Sequence, residues 1–492
     1  MNTIIRIPTK SDIDKVKRIL YGKTLDIKNK NYEFNAIRRL IYSNQDILKI
    51  ISNNGLLINE ISSGVSDRDA YKGYIKQVII DLNKKYYKNY YPSKGNLEAR
   101  QALSIYESYK LNNLSYSPDD FCLTEGSTGA ITMVFEYIKK YYPDKEVLIQ
   151  SPNYYLYKFA SDYYNLKLKE LMTTINKDEP SFITADLIIK NISNNTKLII
   201  LTNPSNPSGE IYDKEDLKKI LLKAKEKNAL VLVDELFAEL VFKPEKYFYS
   251  DTIASSINAM NNLIIVKGYS KSKNLVGFRI GYLFSRNKEL IEAVSLIAQQ
   301  RSSYSAASNF TGVISLDSFI QSVRWKSIYE KNKNYKYLIK KVSKDFSSIS
   351  VIKDRSYFDL VKEYENYDKY FNFLMNYYSQ GFDEAVNILS NDIDIKFPKI
   401  SAFNTIFKIN NLKGINSFDF TINCFLTTGL KTELGPCFGF NQKTWDNKLG
   451  FWLRLTFAKD KKSFAESLKK FILFKNIYLE KPNLFLKTNF SF

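Results

Sequence analysis

Residues 268–282 read Gly-Tyr-Ser-Lys-Ser-Lys-Asn-Leu-Val-Gly-Phe-Arg-Ile-Gly-Tyr and follow a predicted strand. Lys271 and Lys273 are amines, which attack carbonyls and move protons where the surroundings keep them neutral. Solvated surface positions are the commoner fate of lysine. Arg279 is a planar fork suited to a phosphate. The chain has no histidine. That excludes Ser-His-Asp and Cys-His nucleophiles, His general bases and His metal sites, and leaves proton transfer to Lys, Asp, Glu, Tyr or a cofactor. Asp234 ends the apolar run Ala-Leu-Val-Leu-Val-Asp. A carboxylate at a strand end in a parallel sheet sits on the ligand side, although such an Asp also suits a helix cap. Gly126-Ser127-Thr128-Gly129-Ala130 precedes a predicted helix, where N–H groups and hydroxyls serve a phosphate or an ordinary N-cap. Asn203-Pro-Ser-Asn206-Pro-Ser-Gly209 reads as a turn after a strand.

These residues need a scaffold of strands with their ends aligned. Short apolar runs at 146–150, 166–171, 197–202, 229–234 and 262–267 alternate with helical patterns at 98–111, 129–141, 184–192 and 214–227. That alternation predicts an α/β fold with a mostly parallel sheet. Beyond about 325 the pattern changes to a smaller α+β region. It has a long helix over 325–344, a helical stretch over 357–391, strands at 401–409 and 451–458, and helices at 418–428 and 463–475. The expected division is an N-terminal arm (1–65), a large α/β domain (66–325) and a small C-terminal domain (326–492) carrying a helical insertion at about 353–395.

In order along the chain, these segments resemble class I and II aminotransferases, fold-type I enzymes that use pyridoxal 5'-phosphate (PLP). The resemblance implies that Lys271, eight residues before Arg279, forms a Schiff base with the cofactor and later shuttles the proton. Lys273 does not have that spacing. Gly268, Ser270, Gly277 and Gly281 fall where the family has small residues, with Ser270 beside the cofactor. Asn206 would bond the pyridine O3′, Asp234 would pair with the ring nitrogen, and Tyr154 would stack on the ring. Ser127, Thr128 and Arg279 would hold the phosphate. Tyr90, with Tyr91 as a rival, would reach the phosphate of a neighbouring subunit, which implies a homodimer. Arg454, in Phe-Trp-Leu-Arg-Leu-Thr-Phe-Ala, would clamp the substrate α-carboxylate. Gly64 would touch substrate through its backbone. Arg301, in Gln-Gln-Arg-Ser-Ser-Tyr-Ser, resembles the Arg that binds a distal carboxylate, with Tyr304 at matching spacing. A surface Arg at a helix end is the plainer reading. The stretch 434–439, Leu-Gly-Pro-Cys-Phe-Gly, resembles the family's PGxxFG.

Three departures stand out. Phe237 replaces the usual Tyr three residues after the Asp, which removes one hydrogen bond to O3′ and predicts weaker cofactor binding by about 1–2 kcal/mol. Gly268 replaces a frequent Ser phosphate ligand. The extra length of the arm and the insertion also occurs in aspartate 4-decarboxylases and aminocyclopropane-carboxylate synthases, so lyase or decarboxylase chemistry stands as the alternative. The expected activity is transfer of an amino group between an L-amino acid and a 2-oxo acid. A net charge of +20 raises nucleic-acid binding or an aminotransferase-like regulator, but the lysines are scattered and residues 1–65 show no recognition-helix pattern, so no nucleic-acid partner is expected. No apolar run reaches membrane-spanning length, and the first residues lack the apolar core of a signal peptide. Three widely spaced cysteines without CxxC fit a reducing cytoplasm.

Overall fold

A computed structural model describes residues 5–22, 34–111, 114–173, 175–301, 305–401, 403–488 and 490. Its largest element is a seven-stranded sheet built from β1 (Phe121–Glu125), β2 (Glu146–Ser151), β3 (Lys167–Met172), β4 (Thr196–Thr202), β5 (Leu230–Asp234), β6 (Leu263–Gly268) and β7 (Ile280–Phe284). The strand order is β1-β7-β6-β5-β4-β2-β3. The five strands from β2 to β6 run parallel, and β7 runs antiparallel to both β6 and β1. Strands β4 and β5 are buried along their whole length. This is why they read as unbroken apolar runs with no alternation. The register aligns Thr202 with Asp234 and Asp234 with Val266, so the segments that follow β4, β5 and β6 emerge at one edge.

A second sheet joins β8 (Ile393–Lys396), β9 (Asn404–Ile409), β10 (Glu433–Leu434) and β11 (Trp452–Thr456) in the antiparallel order β10-β11-β9-β8. Residues 59–60 pair in parallel with residues 430–431, and Thr456 N donates to Ile61 O at 2.9 Å. The chain before the large sheet is thereby carried along the small sheet toward Gly64. Helices α1 (Lys10–Tyr21), α2 (Phe34–Ser43) and α3 (Gln45–Asn53) share an apolar core with Phe418, Trp445 and Trp452. Helix α4 (Gly126–Tyr141) follows β1, and α5 (Thr311–Tyr329) packs beside α6 (Tyr357–Ile388). Helix α6 has 32 residues and starts at a capping box between Ser356 and Asp359. Its buried face recurs at Leu360, Tyr364, Tyr367, Phe371, Leu374, Tyr378 and Phe382, the spacing of a helix lying on a core. Among the described residues, no helix is long and apolar enough to cross a membrane.

Two expectations from sequence need correcting. The predicted helix over 325–344 is two helices, α5 and a helix at Tyr335–Asp345. Lys331 takes a left-handed φ of +52°, and the Asn334 side chain accepts from Tyr337 N to cap the second helix. Asn competes locally for backbone groups and favours such a break. Strands β1 and β7 escaped the reading because Gly281 interrupts β7's apolar run and Thr124 and Glu125 cut β1's short.

Candidate active site

Lys271 follows β6 and lies in the cleft between the two sheets. Its Nζ donates to Gly64 O and sits 5.7 Å from the centre of the Phe403 ring. Burial pushes this amine down to about 8, with Arg454 and Arg279 adding to the effect and Glu433 and Asp234 opposing it. A lysine so placed is partly neutral near physiological pH and can act as nucleophile and base. Lys273 differs completely. It is 1% exposed, and its Nζ lies 2.5 Å from Glu239 and 2.7 Å from Asp317. Burial disfavours its ammonium, but these two carboxylates outweigh burial and hold it above the ordinary lysine range. Neither lysine is a solvated surface residue.

Asp234 is 3% exposed at the end of β5. Tyr157 Oη donates to its Oδ2 at 2.9 Å, and Leu236 N donates to its Oδ1 at 3.1 Å. Burial raises this carboxyl to about 6. Tyr157 lies also 3.0 Å from Thr202 Oγ1, which donates to Asn153 Oδ1 at 2.7 Å. Asn153 Oδ1 in turn accepts from Tyr154 N at 2.8 Å. The aspartate and the Tyr154 segment are thus set by one buried network. Tyr157 was not among the sequence candidates; its signal was its place three residues after Tyr154.

The phosphate candidates gather at the start of α4. This helix begins at Gly126, three residues earlier than the pattern predicted, which puts Ser127 and Thr128 in its first turn. Gly126 has φ +69°, and a Cβ there would lie 2.8 Å from Arg279 Nη2. A Cβ on Gly281 would lie 2.3 Å from the Gly126 carbonyl carbon, so close approach of β7 to the loop requires glycine. Arg279 itself adopts φ +53°, a strained conformation for a side-chain-bearing residue. Its guanidinium donates only to Val276 O at 3.4 Å and Glu125 O at 3.3 Å, with no carboxylate partner among the described residues. Ser127 and Ser270 are each 8% exposed nearby.

Arg454 is 5% exposed in the centre of the small sheet. Its Nη1 donates to Asn206 Oδ1 at 3.1 Å, which joins the two sheets, and its Nη2 bonds Ser62 O and Glu433. Glu433 is the cross-strand neighbour of Arg454 and also pairs with Arg38 of α2 at 3.1 Å. Burial pushes the Glu433 carboxyl up, but Arg454 and Arg38 more than offset that and hold it below its ordinary value. Sequence reading missed both Glu433 and Arg38. Their pairing spans 395 positions and has no local signature.

Phe237 is buried, with its ring 5.6 Å from that of Phe403. Tyr154 packs edge-on against Tyr155 at 4.6 Å. Two candidates stay outside this cluster. Tyr90 is 93% exposed. Arg301 pairs with Glu136 and donates to Thr132 Oγ1 at 3.0 Å on α4, so its charge is already neutralised within the chain; Tyr304 lies outside the described residues. The structure therefore brings together Lys271, Gly64, Asp234, Asn206, Arg454 and Arg279 with the Gly126–Thr128 turn.

The chain and its fold have known relatives. The chain is 30% identical over 253 residues to a probable N-acetyl-LL-diaminopimelate aminotransferase of Bacillus subtilis, covering 51% of this chain and 61% of that protein. It is 29% identical over 228 residues to a probable aspartate aminotransferase of Methanocaldococcus jannaschii, covering 45% and 56%. The matches thus span little more than half the length of these relatives. In fold it is similar to the aspartate aminotransferase from Thermus thermophilus with maleate, at a TM-score of 0.67 and 18% identity over 92% of this chain and 99% of that one. The α/β architecture is that of fold-type I enzymes. The family model described as "Aminotransferase class I and II" matches residues 61–376, and the chain belongs to that family.

Proposed function

We propose that this chain is a PLP-dependent aminotransferase that moves an amino group between an L-amino acid and a 2-oxo acid. The observation that carries this reading is Lys271, an amine lowered to about 8 in a cleft shared with Asp234, Arg279 and Arg454. The residues present fit the cofactor. Arg279 has a guanidinium without a carboxylate partner among the described residues, beside a glycine turn at a helix start, which suits a phosphate dianion. Asp234 is a buried carboxylate without a cation in contact among the described residues, a natural partner for a protonated ring nitrogen. Bound PLP supplies an electron sink for the pair released at the substrate Cα.

The chain's own residues do the rest. Lys271 Nζ would hold the cofactor and would accept and return the substrate Cα proton. Asp234, fixed by Tyr157, would pair with a protonated ring nitrogen. Arg454 orients the substrate through its carboxylate, which selects the Cα bond that breaks. Arg301 is not assigned a distal-carboxylate role, given its pairing with Glu136. We further propose a homodimer, supported by the nearly full exposure of Tyr90, and a cytoplasmic setting, supported by the free, buried Cys122, Cys424 and Cys437. The proposed division keeps a large domain (66–325) and a small domain (326–492), with the residues before 66 packed mainly on the latter.

The test is a product analysis. PLP-loaded protein is mixed with single L-amino acids and no 2-oxo acid. One equivalent of 2-oxo acid and of pyridoxamine phosphate is expected, and then no further turnover. Continuous release of ammonia or carbon dioxide would overturn the reading in favour of lyase or decarboxylase chemistry.

Two further results are expected. The rate of PLP capture rises with pH and levels off above about 8, because only neutral Lys271 attacks; a stopped-flow absorbance series across pH measures this. Phe237→Tyr supplies the hydroxyl that the family usually carries there. PLP affinity is expected to rise about fivefold to thirtyfold, the worth of one hydrogen bond, as read by equilibrium titration.

A further inference from the structure

The inserted helix α6 builds a cavity that contains none of the active-site residues. It measures about 440 Å³ and lies between α6, α5 and the loop at 239–244. That is within the range of small-metabolite sites. Arg324 of α5 lines it, with its guanidinium 3.8 Å from the centre of the Phe371 ring. It donates to Gln321 Oε1 at 3.3 Å and has no carboxylate in contact among the described residues. Burial disfavours its charge, but Tyr367, Glu239, Tyr364 and Asp368 more than offset burial and hold the guanidinium above its ordinary value, so it stays charged and can take a ligand carboxylate. Glu239 and Asp368 line the same cavity, with Asp368 Oδ2 accepting from Asn372 Nδ2 at 2.9 Å. Phe242, Phe371 and Met375 give it apolar walls.

A guanidinium, two nearby carboxylates and an apolar wall are together complementary to a zwitterion with a large side chain. We propose that this cavity binds a free α-amino acid with a large apolar side chain, its carboxylate on Arg324 and its ammonium on Asp368. The site is wired to the catalytic loop. Gln321 Nε2 donates to Asp317 Oδ1 at 3.0 Å, and Asp317 and Glu239 both hold Lys273, two residues from Lys271.

The experiment is calorimetric titration of the full chain, loaded with pyridoxamine phosphate, with L-phenylalanine. Saturable binding is expected. It should weaken about tenfold or more in Arg324→Lys and Asp368→Asn, the worth of a charge-assisted hydrogen bond, and persist in Arg454→Lys. 3-Phenylpropionate and phenethylamine, each lacking one charge of the zwitterion, should bind at least as poorly as the variants do. Asn376→Trp, at the exposed rim, should block the cavity with unchanged thermal melting, which separates ligand loss from misfolding. Binding that disappears in Arg454→Lys but survives Arg324→Lys and Asn376→Trp would overturn the proposal, as would no binding to the wild-type chain. Failure of the product analysis above would leave this binding in place, so the two readings fail separately.

Discussion

Lys271→Ala is expected to abolish transamination, with kcat/KM falling roughly four orders of magnitude or more, about 5.5 kcal/mol of transition-state stabilisation. In the proposed reading the same side chain anchors the cofactor and moves the Cα proton, so one substitution removes both functions. Gly64 and Phe403 line the position of the amine, and neither supplies a substitute base. Stability should change little, because Lys271 has no ion pair in contact among the described residues and its ammonium is disfavoured by burial. Steady-state kinetics with the best amino acid, alongside a denaturation curve, measures both. An Ala variant retaining a tenth of the activity would show that another residue carries the proton.

Lys273→Met is expected to act on stability. Its ammonium neutralises Asp317, which is 4% exposed and also accepts from Tyr74 Oη at 2.5 Å, and it neutralises Glu239. Removing one partner of a buried ion pair leaves charge stranded in low dielectric, at a cost of about 3–5 kcal/mol. The denaturant midpoint should fall accordingly, while the folded fraction still captures PLP. The paired variant Lys273→Met with Asp317→Asn should recover part of the loss, because it removes one of the stranded charges. A Lys273→Met protein as stable as wild type would mean that water, not this lysine, satisfies Asp317.

The contrast between these two lysines shows what was legible in the sequence. The eight-residue spacing to Arg279 marked Lys271, and the ends of apolar runs marked Asp234 and Asn206, because those signals are local. The reason Lys273 cannot serve lies in Glu239 and Asp317, which only the packing of α5 against the segment after β5 brings together. Arg454 was likewise readable from its strand, whereas its neutralisation by Glu433 and the link to Arg38 of α2 depend on strand pairing and on an N-terminal helix folding onto the small sheet. The break at Lys331 was hidden because helical periodicity on both sides continued through a Lys/Asn run with no Gly or Pro. Tyr90 and Arg301 were chosen by spacing alone. The first stands exposed and the second is already paired, so a single chain gives neither a place in the cleft.

The most direct test of the central claim is to map where the cofactor attaches. The chain is incubated with PLP, reduced with borohydride, digested and analysed by peptide mass spectrometry. The phosphopyridoxyl group is expected on Lys271 alone, with Lys273 unmodified inside its carboxylate pair. Label on Lys273, or spread over surface lysines with Lys271 bare, would contradict the account.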